Sequence, residues 1–282
     1  MRQISTSLLR LCAALLLTAL LLALPAAAAP ATSLYFRGSR FSAAPGVCMV
    51  DGVTYVPLRA FSQQADSSAV LEWNKETKTA TLSGSGLTLQ VSVGSSYLVA
   101  NGRYLYLNGS CFTRDGSLMV PIRPLAEAFG FSVVWDAKKR EVRVEGELEP
   151  IESGEAYYDE DNLYWLSRII SAEARGESLE GQIAVGNVVL NRMANDYWPD
   201  DVYGVVFDDR YGVQFSPTAN GTIYDEPVES AVIAAKLALD GANTAGDSLF
   251  FLNEAIATSK WIVESCEYVT TIGNHSFYTK DV

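Results

Sequence analysis

The sequence of 282 residues predicts an α+β protein built in two unlike parts. Residues 32–147 contain an internal duplication written in short, alternating, strand-like runs. Residues 161–282 open instead with apolar stripes of helical period and return to strands only near the end. A polar, acidic stretch separates the two grammars, and residues 148–160 are expected to be a linker.

The chain begins with Arg2 and Arg10 around an almost wholly apolar run from Leu8 to Leu24, followed by small residues in Ala-x-Ala order from Ala26 to Ala31. That layout predicts a secretory signal peptide over residues 1–31; an uncleaved signal-anchor is the alternative, because the run approaches spanning length. No later segment is long and apolar enough to span. The mature protein is therefore expected outside the cytoplasmic membrane, with no membrane partner after cleavage.

In the duplicated part, Val56-Pro57-Leu58-Arg59-Ala60-Phe61 returns as Val120-Pro121-Ile122-Arg123-Pro124-Leu125. Leu71-Glu72-Trp73-Asn74 is answered by Val133-Val134-Trp135-Asp136, at nearly the same offset. Each copy reads as a strand, a short helix and a hairpin closing on alternation such as Glu141-Val142-Arg143-Val144. Thr88 to Val93 and Tyr104 to Leu107 add strands. Pro57 and Pro121 are expected to open the helices, and Arg59 and Arg123 to tie strand to helix. Those are structural duties.

After the linker, Asp161 is expected to cap a helix from Leu163 to about Ala174. Ser178 or Glu177 can open a second from Leu179 to Ala194, and a third follows Pro199 through Val206. Pro227 suits the first turn of a fourth that ends at Leu239, before Asp240-Gly241. Leu249 to Leu252, Val269 to Ile272 and Ser276 to Tyr278 read as short strands.

Composition excludes better than it selects. The formal charge is −12, and loss of the leader with its two arginines deepens it to −14. So acidic a surface argues against nucleic acid, whose phosphates need a basic patch. A neutral carbohydrate polymer remains a suitable partner. The only histidine is His275, which rules out a multi-histidine zinc site and leaves one candidate for any His-dependent triad. No cofactor fingerprint is present. Cys48, Cys111 and Cys266 remain after the leader, without close metal spacing; a bridge between Cys48 and Cys111 is one option and free thiols the other.

Glu173 is the residue that points to chemistry. Leu163, Leu166, Ile170 and Glu173 share one helical stripe, so the acid continues an apolar face on the last turn before Gly176. Desolvation and the negative end of the helix dipole both raise a carboxyl pKa there, as a general acid requires. A buried ion pair with Arg168, Arg175 or Arg192 is the competing account.

The second half resembles the catalytic domain of bacterial cell-wall hydrolases related to SleB and CwlJ. Six runs carry that resemblance: Ala172 to Glu177, Gly181 to Val185, Val189 to Arg192, Gln214 to Pro217, Thr258 to Trp261 and Ile272 to Tyr278. The resemblance implies a lysozyme-like, transglycosylase-like α+β catalytic domain over residues 161–282, with Glu173 as the catalytic acid. It also implies cleavage of peptidoglycan between N-acetylmuramic acid and N-acetylglucosamine, by lytic transglycosylation or by hydrolysis. A catalytically silent wall-binding protein is the rival, and an amidase is disfavoured by the single histidine. Gln214, Phe215, Ser216, Lys260, Trp261, Asn274, His275 and Tyr278 are the candidate substrate-binding residues, with core or surface duties as their alternatives. Glu177 is read as a capping or ion-paired residue. Residues 32–147 resemble the repeat named after the copper amine oxidase N-terminal domain, here a stalk with no histidine for copper. Such a protein would be secreted and wall-associated, the spore cortex included.

Overall fold

In the computed structural model, which describes residues 33–280 except 211 and 259, the duplication closes on itself through its two proline-ended strands. The leader lies outside the described residues, and no helix among them is long and apolar enough to cross a membrane. The first copy supplies β3 (Cys48–Val50), β4 (Val53–Pro57), α1 (Leu58–Ala65), β5 (Val70–Asn74) and β6 (Thr79–Gly84). The second supplies β10 (Phe112–Arg114), β11 (Ser117–Pro121), α2 (Ile122–Ala128), β12 (Ser132–Asp136) and β13 (Glu141–Glu145). Between and around them lie β1 (Ser33–Phe36), β2 (Ser39–Arg40), β7 (Leu87–Ser92), β8 (Tyr97–Ala100) and β9 (Arg103–Tyr106).

β4 and β11 pair antiparallel with Val56 opposite Val120, residues that are equivalent in the two copies. The sheet order β10-β11-β4-β3 is therefore its own mirror in sequence, and the repeat has a local twofold relation. The copies then diverge. β13 takes β1 as a parallel neighbour, whereas β6 continues into the meander β7-β8-β9. Alternation turns one face of these strands inward, where Phe36 meets Phe61 and Phe131 edge-on at 5.4 and 5.1 Å. Pro57 and Pro121 each end a strand and stand at the cap position of the helix that follows. Arg123 does tie its helix to β12, donating from Nη1 to the Val133 carbonyl at 3.1 Å.

The stretch expected to be a linker is folded onto its surroundings. It carries a one-turn helix α3 (Gly154–Tyr157), capped by Ser153. Gly154 N donates to the Asn101 carbonyl at 2.8 Å, and Asn101 Nδ2 donates to the Ile151 carbonyl at 2.8 Å.

The second part is built on α4 (Glu160–Ala174), α5 (Leu179–Met193) and, later, α8 (Glu229–Leu239), which pack against one another. Asp159, rather than Asp161, caps α4 by accepting from Asn162 N at 2.8 Å, so the helix starts three residues earlier than its apolar stripe suggests. Ser178 caps α5. Gly186 sits where the three helices cross: a Cβ there would stand 2.9 Å from Ile170 Cδ1 and 3.3 Å from Ala238 Cβ. Short elements follow: α6 (Val202–Val206), α7 (Ser216–Asn220) and α9 (Trp261–Ser265). The three-stranded sheet runs β14 (Phe250–Leu252), β16 (His275–Thr279), β15 (Glu267–Ile272).

The two parts meet over a tyrosine layer. Tyr97, Tyr104 and Tyr106 pack on the core of the helical part. Beside them Arg103, on β9, donates through Nε (3.1 Å) and Nη2 to Asp240 at the end of α8. The Asp240 side chain is fully buried, and Tyr158 Oη also donates to it. Arg103 lies 3.5 Å over the Tyr157 ring. Cys48, Cys111 and Cys266 are free thiols, and burial pushes Cys111 up to about 12.

Candidate active site

Glu173 occupies the penultimate position of α4, partly buried on the stripe of Leu166 and Ile170. Its carboxyl pKa is raised, and burial is the cause. The three arginines that compete as ion-pair partners are engaged elsewhere. Arg168 pairs with Glu226 at 3.4 Å and stacks on Tyr164, Arg175 Nε donates to the Ser171 carbonyl, and Arg192 Nε donates to the Leu249 carbonyl. Among the described residues no salt bridge reaches Glu173.

Glu177, one turn further on, has the opposite environment. It accepts hydrogen bonds from Asn274 Nδ2 (2.8 Å) and Asn274 N (3.2 Å), which lower its pKa. Its carboxylate rests against Gly273, whose φ of +59° and lack of a Cβ are both needed: a Cβ would overlap Glu177 Oε2. Glu177 is thus neither a helix cap nor half of an ion pair. It clamps the tip of the β15–β16 hairpin to the end of α4, which brings His275 and Asn274 toward the same end of the fold as Glu173.

His275 is half-buried, edge-on to Phe251 with centroids 5.2 Å apart, and beside Phe277. Burial lowers its pKa, partly opposed by Glu177. Its Nδ1 is buried without a hydrogen-bond partner among the described residues. Phe215, 3% exposed, packs on Phe251 and under Arg192, so it lines the wall of the site from within. Tyr278, 4% exposed, donates to Glu254 Oε1 at 2.8 Å and is pushed up to about 12 by burial and that bond. Gln214 Nε2 donates to the Gly212 carbonyl, and Ser216 is exposed at the start of α7. Lys260 and Trp261 are exposed at the start of α9, with Trp261 edge-on to Phe250 at 5.5 Å.

Phe251 and Glu254, which touch the candidate residues His275 and Tyr278, were not singled out by the sequence. Phe251 read only as part of a strand, and Glu254 lies in none of the six runs. Arg192 is buried among Trp198, Phe215 and Phe250, its Nη1 without a hydrogen-bond partner among the described residues, and burial lowers its pKa to about 10. A cavity of about 830 Å³ lies at the seam between the two parts and is lined by none of these residues.

Residues 176–278 match the Cell Wall Hydrolase family, and residues 36–144 match the Copper amine oxidase N-terminal domain. The first match begins three residues after Glu173. The chain is 37% identical over 120 residues to a spore cortex-lytic enzyme of Oceanobacillus iheyensis, covering 43% of this chain and 42% of that protein. It is 34% identical over 120 residues to a spore cortex-lytic enzyme of Bacillus subtilis, covering 43% and 38%. The chain thus spans about two fifths of the length of these curated relatives. Among solved structures it is similar to the catalytic domain of the germination-specific lytic transglycosylase SleB from Bacillus anthracis. The identity there is 33%, over 46% of this chain and 100% of that one, with a TM-score of 0.40. In this chain a region similar to the Copper amine oxidase N-terminal domain is therefore followed by a region similar to the Cell Wall Hydrolase family and to the spore cortex-lytic enzymes.

Proposed function

We propose that residues 161–282 form a lysozyme-like catalytic domain that cuts peptidoglycan glycan strands between N-acetylmuramic acid and N-acetylglucosamine, with Glu173 as the general acid and base. The observation that carries this reading is the carboxyl of Glu173 itself. It is raised by burial alone, without a cation to hold it ionised. A carboxyl kept protonated toward neutral pH is what donation to a glycosidic oxygen demands.

Glu173 gives its proton to the bridging oxygen as the muramyl C1–O bond breaks and positive charge develops on the ring. The N-acetylglucosamine 4-hydroxyl leaves. The carboxylate then accepts the proton of the muramyl 6-hydroxyl as that oxygen closes on C1, giving a 1,6-anhydro end and restoring the acid. No water is consumed and no second carboxylate is needed. That agrees with Glu177 being committed to Asn274, and with no neighbouring charge contributing to the pKa of Glu173. Gln214, Ser216, Lys260, Trp261, Asn274 and His275 are the surface proposed to hold the strand, with Phe215 and Tyr278 packed behind it. Residues 1–31 are proposed to export the protein to the wall.

Mass spectrometry of the soluble products from purified peptidoglycan tests the reading. Anhydro-muramyl ends support it; reducing muramyl ends would mean hydrolysis. Glu173→Gln should lower release by at least about a thousandfold, in the range of lost acid–base catalysis. Unchanged release in that variant, or none from the native protein on either cortex or vegetative wall, would leave a binding protein.

A further inference from the structure

The local twofold of the N-terminal domain makes two grooves, not one. In each, the short helix and hairpin of one copy face the tip of the strand pair contributed by the other. The first, about 290 Å³, lies between Arg59 and Trp73 on one side and the β10–β11 turn at Gly116 on the other. The second lies between Arg123 and Trp135 and the β3–β4 turn at Gly52, and it is the large cavity at the seam. In both, the tryptophan stands opposite a small or branched buried residue of the neighbouring strand: Trp73 opposite Ala80, Trp135 opposite Val142.

The equivalence extends to exposure. Trp73 is 40% exposed and Trp135 is 42% exposed. Buried and half-buried positions have drifted between the copies, Leu58 to Ile122 and Leu71 to Val133, yet the open Trp and the adjacent Arg are the same in both. Packing alone requires no exposed indole face at either position, since only the buried part of the ring contributes to the core. Arg59 and Arg123 are exposed and form no ion pair among the described residues, in a chain of formal charge −12. An unpaired cation beside an open indole face suits a ring-shaped ligand that carries a carboxylate.

We infer that the two Arg–Trp grooves are a pair of glycan-binding sites, each taking a sugar of the wall polymer on the indole face and a carboxylate of its attached peptide stem on the guanidinium. This rests on the reading of peptidoglycan as the substrate. The seam groove is also lined by Asp240 to Asn243, at the end of α8 and just past it. The strand it holds is thereby seated against both domains. Arg123, pinned to the Val133 carbonyl, keeps its remaining N–H groups for the ligand.

The test is sedimentation of the full chain with purified sacculi, in the Glu173→Gln background so that the wall stays intact, with cleavage by the native protein scored in parallel. Trp73→Ala combined with Trp135→Ala should weaken binding about tenfold or more, the scale of losing an aromatic anchor. Trp→Phe at both sites should restore most of it, which separates the ring from a folding defect. Arg59→Gln, on an exposed side chain, should weaken binding to native sacculi and have no effect on sacculi whose carboxyls have been amidated. If the native protein cleaves while the tryptophan variants bind normally, the grooves are overturned and the catalytic reading stands. If the variants lose binding while nothing is cleaved, the grooves stand and the catalytic reading falls. Self-association that disappears in the variants, with wall binding unchanged, would assign the grooves to a second copy of this chain and overturn the proposal. Absence of both binding and cleavage in the native protein overturns both.

Discussion

Two glutamates four residues apart, Glu173 and Glu177, are driven in opposite directions by their surroundings, and this gives a pH signature. Burial raises Glu173, so its ionised form is disfavoured in the folded state. Below the unfolded-state value of about 4.3 both states hold the proton and nothing is lost. Above it the unfolded chain ionises first, and stability falls as pH rises through the folded value. Glu173→Gln removes that penalty. Its melting temperature should match the native protein near pH 4, exceed it as pH rises from the unfolded value to the raised folded one, and then keep a level advantage; a difference that is constant from pH 4 upward would mean that Glu173 carries no buried-carboxyl strain. Catalysis should show the same limb, declining as pH rises past the Glu173 pKa. Glu177 works the other way, because its hydrogen bonds from Asn274 favour the carboxylate and are lost in acid. The Glu173 stripe was readable from spacing, since a helix of period 3.6 leaves no other place for that side chain. The clamp was not: Glu177 and Asn274 are 97 residues apart and no local pattern links them.

The helices of the second half were legible because each has a stripe and a stop, and the observed α5 and α8 end within a residue of where sequence places them. Their starts were less so, because caps compete: Asp159 and Asp161 both flank α4, and only the backbone geometry selects the earlier one. Elements of one turn, α3, α7 and α9, carry too few residues for any period to register. Packing density was invisible for a different reason. Gly186 is a helix-interior glycine that propensity alone would call a defect of about 1 kcal/mol. The structure makes it the point of closest approach of α4, α5 and α8. Gly186→Ala should therefore destabilise by about 1–3 kcal/mol, as overpacking does, despite its better propensity. Urea unfolding that shows a more stable variant would refute the close approach.

At the scale of the whole molecule, the tie between the domains is a buried ion pair rather than a hydrophobic seam alone. The Arg103 side chain is 10% exposed and the Asp240 side chain 0%. Truncating the arginine leaves a carboxylate without its counter-charge, and such losses cost about 3–5 kcal/mol. Arg103→Met should lower stability by that order in denaturant unfolding at neutral pH. A single cooperative transition should also split in two as the β-rich and helical parts uncouple. A change below about 1 kcal/mol would place the pair in solvent-screened surroundings. The duplication and the change of grammar made two parts legible in the sequence. Their fusion was not, since Arg103 and Asp240 are 137 residues apart and the stretch between the domains looks like a spacer.

On the proposed readings, that fusion would make the N-terminal domain a gauge rather than a tether. A flexible stalk would let the cutting centre sample bonds at any distance from where the polymer is held. With the β-rich part fixed through Arg103, Asp240, Tyr157 and Tyr158, a strand held in the seam groove as proposed would meet Glu173 at one set interval. The oligosaccharides released early in a digest should then fall into a narrow size class, resolved by chromatography, and broaden in Arg103→Met.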